Sequence, residues 1–251
     1  MKKGVFRFKQ FDCSHFRSSM KIGVDGVLLG AWAATDGAKR IIDIGTGCGV
    51  IALMCAQRNR AADILAVDIH PGSVEEAAEN FARSPWGDRL RALQQDFTAM
   101  EERDFDLIVS NPPFFDSGVS NPETARERAR HQAALSPYSL IEWASRHLSS
   151  TGLLAMIFPA EQGEEIADHA RRFGLSLTRG LLVKGNPNVA PKRLLAEFSK
   201  SEKPTAPTEE SAGIANFSSG GVEIPILTIE NAPNDYTAEY KSLTGDFYLK
   251  F

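Results

Sequence analysis

The chain has 251 residues, 43% of them hydrophobic and 24% charged, with a net charge of −4. This balance fits one α/β domain, alone or with a small appendage, and excludes wholesale disorder, collagen-like repeats and coiled coils. No apolar run approaches the roughly 18 residues of a membrane span, and Cys13, Cys48 and Cys55 form no Cys-x-x-Cys pair.

The odd cysteine number and the absence of an apolar secretory core near the N-terminus predict a reducing, cytoplasmic setting without a structural zinc site. Residues 1–21 carry six bases (Lys2, Lys3, Arg7, Lys9, Arg17, Lys21) against one acid, Asp12. On an acidic chain this rim reads either as a phosphate-binding edge or as a solvated charged face. Residues 41–44, 64–67, 90–95, 107–109 and 153–158 are short, mostly apolar runs, read as strands of a parallel sheet. Helical stretches lie between them. Val74, Ala77, Ala78 and Phe81 make one apolar stripe, and Leu140, Ile141, Ala144 and Leu148 another. Ser136 and Pro137 supply the second helix with an N-cap and first turn. The alternation predicts a doubly wound α/β sheet with right-handed crossovers.

Residues 175–184 and 193–200 are strand-like, with no room between them for a crossover helix, and predict an antiparallel hairpin at one sheet edge. Residues 201–220 are rich in Ser, Thr, Pro, Glu and Gly and read as a flexible loop. Residues 222–229 are strand-like again. The closing Phe247, Tyr248 and Phe251 suggest a tail that docks back on the domain.

Two motifs carry chemistry. Asp43-Ile44-Gly45-Thr46-Gly47-Cys48-Gly49 ends the first strong strand and opens a helix near Val50. Missing Cβ atoms permit a tight turn and close approach of backbone to a ligand. Asp68 ends the next strand, where an acid can bind ribose hydroxyls. A third strand ends at Asp96-Phe97, an acid and an aromatic suited to an adenine's amino group and ring face. This series of strand ends resembles a class I S-adenosylmethionine-dependent methyltransferase. The resemblance implies a Rossmann-like, seven-stranded mixed sheet with the antiparallel hairpin at its edge. It places Asp43, Gly45, Thr46, Gly47, Gly49, Asp68, Ile69, Asp96 and Phe97 around S-adenosylmethionine, and the segment beginning at Lys21 near the cofactor's methionine end.

The second motif follows the fourth strand, where residues 105–109 run into Ser110-Asn111-Pro112-Pro113-Phe114. Two prolines stop the strand and stiffen the loop. The tetrapeptide resembles that of amino-methyltransferases, in which the Asn oxygen and first Pro carbonyl accept the target amino hydrogens and the aromatic residue stacks on the substrate. That resemblance makes Asn111, Pro112, Pro113 and Phe114 the catalytic set, with Asn111 also touching the cofactor. Adenine N6, guanine N2 and a protein glutamine amide are all served by this tetrapeptide. Arg126, Arg130 and His131 beyond the loop, with Lys192 and Arg193 at the hairpin, favour a nucleic acid.

Residues 11–17, 20–32, 129–131, 191–193 and 247–250, together with Asn111–Phe114, resemble the bacterial tRNA(Val) adenine-N6 methyltransferases almost from end to end; the stretch 201–220 departs from them. The family implies methylation of the adenine beside a tRNA anticodon, with tRNA as partner, on a monomer with no metal and no membrane. It implies one methyltransferase domain: a basic extension at 1–35, a core at 36–200, the loop 201–220 and a C-terminal appendage at 221–251. For RNA binding, the local basic charge points to Lys2, Lys3, Arg7, Arg126, Arg130, His131, Lys192 and Arg193. The rival readings are a guanine-N2 methyltransferase of ribosomal RNA and a protein glutamine methyltransferase. An RNA-binding protein with a vestigial fold would carry a disrupted glycine turn or a lost Asn-Pro-Pro, and this chain has neither.

Overall fold

A computed structural model describes residues 4–18, 21–113, 135–200 and 222–251. An N-terminal hairpin of β1 (Val5–Arg7) and β2 (Asp12–Ser14) precedes helix α1 (Val24–Trp32). Strand and helix then alternate through β3 (Arg40–Ile44), α2 (Val50–Arg58), β4 (Asp63–Asp68), α3 (Pro71–Arg83), β5 (Leu90–Gln94) and β6 (Phe105–Ser110). Next come α4 (Pro137–His147), β7 (Leu148–Pro159), α5 (Gly163–Arg172), β8 (Leu175–Lys184) and β9 (Arg193–Lys200). The tail holds β10 (Ile226–Thr228), a small hairpin of β11 (Glu230–Ala232) and β12 (Asp235–Tyr236), and α6 (Ala238–Thr244).

The central sheet runs β5-β4-β3-β6-β7-β9-β8-β10. From β5 to β7 all pairings are parallel, and β9 pairs antiparallel with both β7 and β8. The edge hairpin is therefore where its apolar pattern and short connection put it. An eighth strand extends the seven expected. Residues 226–228 add in parallel to β8, with the Leu182 N–H also donating to the Pro225 carbonyl at 2.9 Å.

Buried strands feed two cores because successive side chains point to opposite faces. Ile41, Leu107, Val109, Ala155 and Ile157 pack with α1, α2 and the Phe81 side of α3. Their neighbours Ile42, Ile108, Leu154, Met156 and Phe158 pack with α4 and α5. Helix α4 opens on a capping box: the Ser136 hydroxyl accepts the Ser139 N–H at 3.1 Å, and the Ser139 hydroxyl accepts the Ser136 N–H at 3.0 Å. The tail docks as its aromatics suggest. Phe247 is buried, and Tyr248 pairs with Phe8 of the N-terminal segment.

Strand order reverses between β3 and β6. In an open α/β sheet, this switch point makes a crevice at the carboxyl ends of the strands. Both sequence motifs lie there.

Candidate active site

The turn after β3 needs glycine for two separate reasons. Gly45, Gly47 and Gly49 have φ of 70°, 56° and 83°, in the left-handed region that costs other residues strain. At Gly49 a Cβ would also come within 2.5 Å of the Phe81 ring, whereas at Gly47 it would meet nothing within 4 Å. The backbone at Gly47 thus faces open space. That is the cradle a ligand approaching the turn requires.

Hydrogen bonds lace this turn to the neighbouring strand ends. The Gly45 and Thr46 N–H groups both donate to the Val67 carbonyl, at 2.9 and 3.1 Å. The Asp68 carboxylate accepts the Gly47 N–H at 2.9 Å through one oxygen and the His70 N–H at 2.9 Å through the other. On the far side, the Ser110 hydroxyl donates to the Ile44 carbonyl at 2.8 Å. Movement of any one strand end is resisted by the others.

Asp43 lies beneath the turn, fully buried. One of its oxygens accepts the Thr46 hydroxyl at 2.6 Å and the Ala52 N–H at 3.2 Å; the other has no partner among the described residues. Burial pushes this carboxyl up to about 7, against the two donors, with nearby Asp68 adding to the rise. It supports the turn from inside.

The third strand end is arranged differently from the sequence expectation. The exposed Asp96 accepts the Thr98 N–H and hydroxyl, at 2.9 and 2.7 Å, as the cap of a short 3-10 turn. The Phe97 ring is buried edge-on to Trp143, with centroids 5.8 Å apart. What this end offers a ligand is therefore the Asp96 carboxylate and local backbone rather than a ring face. Ile69 is half-buried directly after Asp68, and its carbonyl accepts the Gln94 amide at 3.2 Å.

Asn111 follows β6 at the switch point. Its side-chain oxygen is buried without a hydrogen-bond partner among the described residues. Leaving a buried acceptor unpaired is costly, so a donor brought to this oxygen would be bound favourably. Helix α1 packs alongside, so that a Cβ on Gly26 would lie 4.0 Å from the Asn111 amide nitrogen. Pro112 is buried and Pro113 half-buried. Phe114, Arg126, Arg130 and His131 lie outside the described residues, as do Lys2, Lys3 and the expected loop at 201–220.

Several predicted cationic contacts have protein partners. Lys21 donates through Nζ to the His15 and Phe16 carbonyls, at 2.6 and 3.3 Å, which folds the strap before α1 back on itself. The Arg193 guanidinium donates to the Asp25 carboxylate at 2.9 Å and so ties β9 to the first turn of α1. Arg7 pairs loosely with Asp12 at 3.8 Å, and Lys192 is exposed. Of the six N-terminal bases, Arg17 is answered by Glu75 and Glu79 of α3.

Sequence reasoning missed Glu76. This buried α3 side chain accepts the N–H groups of Phe16, Arg17 and Ser18, at 2.5, 3.2 and 2.9 Å. Desolvation pushes its carboxyl up, but the strap donors outweigh that and hold it below the usual range. Its only sequence signal was an acid beside the helix's apolar stripe. Among the described residues no group of three or more His, Cys, Asp or Glu could hold a metal, and no helix is long and apolar enough to cross a membrane.

Residues 24–171 match the family model described as the methyltransferase small domain. A relative from Bacteroides thetaiotaomicron, named tRNA1(Val) (adenine(37)-N6)-methyltransferase, is 39% identical over 99% of both chains. One of the same name from Trichodesmium erythraeum is 42% identical over 98% of both. Among solved structures, a predicted O-methyltransferase from Agrobacterium tumefaciens superposes with a TM-score of 0.63 at 19% identity, covering 89% of this chain and 96% of its own. That last likeness speaks to the fold.

Proposed function

Because the chain belongs to the tRNA1(Val) (adenine(37)-N6)-methyltransferase family, within the small-domain methyltransferases, we propose that it methylates the N6 amino group of adenine 37 in tRNA1(Val). The observation that carries this reading to the atoms is the unpartnered, buried Asn111 oxygen beside the glycine turn. S-adenosylmethionine supplies a methyl group made electrophilic by its sulfonium. The residues present fit that cofactor: the turn of Gly45, Thr46, Gly47 and Gly49, open at Gly47, would take it against its backbone, Asp68 and Ile69 would hold the ribose, and Asp96 with the Phe97 backbone would hold the adenine. The segment beginning at Lys21 would hold the methionine end.

An exocyclic amino nitrogen is a weak nucleophile because its lone pair is delocalised into the purine ring. Asn111 Oδ1 and the Pro112 carbonyl accept its two hydrogens. Two fixed acceptors favour pyramidal nitrogen and push electron density toward the attacking lone pair. Pro113 stiffens the loop that aims them, and Phe114 stacks on the base. The proton leaves after the methyl group has arrived, so no strong base is needed beforehand. Positioning and preorganised dipoles carry the reaction. This reading also puts the enzyme in the cytoplasm, with its substrate.

The direct test is transfer of a labelled methyl group to unmodified tRNA and to ribosomal RNA, followed by nucleoside analysis. The expected product is N6-methyladenosine in tRNA alone; N2-methylguanosine in ribosomal RNA, or no transfer to either RNA, would overturn the reading. For the cofactor site, Asp68→Ala should weaken S-adenosylmethionine binding by about 1–3 kcal/mol, as expected for loss of charge-assisted hydrogen bonds. Calorimetry on the folded variant measures this. Unchanged affinity would remove Asp68 from the site.

A further inference from the structure

A large groove among the described residues is lined by neither the glycine turn nor Asn111. It has a volume of about 1440 Å³ and is formed where the N-terminal hairpin meets the C-terminal tail. Three hydrogen bonds clip its walls together: the Lys9 N–H donates to the Phe247 carbonyl at 2.8 Å, and Lys9 Nζ donates to the main-chain oxygens of Gly245 and Phe251, both at 2.6 Å. Aromatic rings continue from one wall to the other, with Phe6 and Tyr248 centroids 6.0 Å apart and Tyr248 and Phe251 5.5 Å apart.

Three features identify what would fill it. The volume exceeds the roughly 300–1,000 Å³ of small-molecule pockets, which points to an extended ligand. Its lining carries four cations (Arg7, Lys9, Arg83, Lys250) against two acids (Asp12, Glu230), the reverse of the chain's net −4. It also gathers Phe16, Val24 and Leu249, which are 54%, 43% and 62% exposed. Clustered exposed apolar side chains mark an interaction surface. Cations beside exposed apolar and aromatic side chains suit a single RNA strand, whose bases stack while its phosphates pair.

The groove shares helix α1 with the reacting site. Val24 opens α1 two residues before Gly26, the residue that packs beside Asn111. Phe16 is held firmly for an exposed ring: Glu76 accepts its N–H at 2.5 Å, and the ring rests where a Cβ on Gly4 would otherwise sit. The Arg7–Asp12 pair is loose and solvent-exposed, so it contributes little and leaves the guanidinium ready to exchange partners.

We propose that this groove holds the single-stranded RNA flanking the target adenine, with Arg7 and Lys250 on phosphates and Phe16 and Leu249 against bases. The proposal rests on the reading of the chain as a tRNA methyltransferase and assigns the strand's path beyond the reacting base. It is tested with a fluorescent anticodon stem-loop RNA and with full-length tRNA, using the wild type, Arg7→Glu combined with Lys250→Glu, Phe16→Ala and Phe16→Trp. The charge-reversed protein should bind at least about 10-fold more weakly, and the slope of log affinity against log salt should become shallower by about one to two. Phe16→Ala should lose about 10-fold, and Phe16→Trp should restore it. Charge reversal at Arg7 and Lys250 should leave S-adenosylmethionine affinity at its wild-type value.

Equal RNA binding by all four proteins, or none by the wild type, overturns the groove assignment. So would a dimer in sedimentation that dissociates on charge reversal, because the groove would then be a self-association face. Groove-dependent RNA binding with a product other than N6-methyladenosine would overturn the adenine reading and leave the groove standing.

Discussion

Asn111→Ala should lower the single-turnover rate of tRNA methylation by roughly 10²–10³-fold, the usual effect of removing one preorganised hydrogen-bond partner from a transition state. S-adenosylmethionine affinity should change little. The expectation follows from how the residue is held. Ser110 fastens the end of β6 to the Ile44 carbonyl, buried Pro112 stiffens the next step, and the Asn111 oxygen is left buried with no partner among the described residues. An acceptor kept in that state gains most when the amino nitrogen pyramidalises and its hydrogens become more acidic. It therefore stabilises the transition state more than the bound substrate, and the loss should appear in rate rather than in tRNA affinity. Rapid-quench methylation with both ligands saturating separates the two. A folded, cofactor-binding variant with a near-normal rate would refute the role assigned to Asn111.

The parts of this molecule legible in the sequence are those whose cause is local. The turn at 45–49 demands positive φ at alternate positions, so its glycines announce it. Ser136 followed by Pro137 caps α4 through atoms three residues apart, and the apolar runs declare buried strands by composition alone. What could not be read depends on partners distant in the chain. Phe97 looks available to a ligand until Trp143, from α4, covers its ring. Arg193 reads as a phosphate contact until Asp25, 168 residues away, takes its guanidinium. Glu76 has no motif because its ligands are three backbone N–H groups of a distant strap. The eighth strand was visible as β-propensity at 222–229, and its ladder with the C-terminal end of β8 covers Ile226–Thr228, with Pro225 and Ile229 adding a hydrogen bond at either end. Local chemistry thus reveals the glycine turn and the strand-end loop at Asn111, while the groove we propose for RNA emerges only when both ends of the chain meet.

The support beneath the glycine turn should make itself felt in the pH dependence of stability. Asp43 ionises near 4 in an unfolded chain, whereas burial pushes it up to about 7 in the folded one. Between those values the folded state holds one more proton than the unfolded state. Stability should therefore fall as pH rises through that window and level off above about 7. The slope from this one group approaches about 1.4 kcal/mol per pH unit. Glu76 acts oppositely, since its carboxyl is held below the usual range. Its contribution is lost only as the pH falls below about 4, outside the window. Asp43→Asn should flatten the slope, because a neutral amide can keep an acceptor on the Thr46 hydroxyl and the Ala52 N–H without the desolvation cost of a charge. Urea unfolding of both proteins from pH 4.5 to 7.5 provides the comparison. Parallel pH profiles would mean that Asp43 is already charged in the fold at the acid end, its buried, unpartnered oxygen solvated by something other than the residues around it.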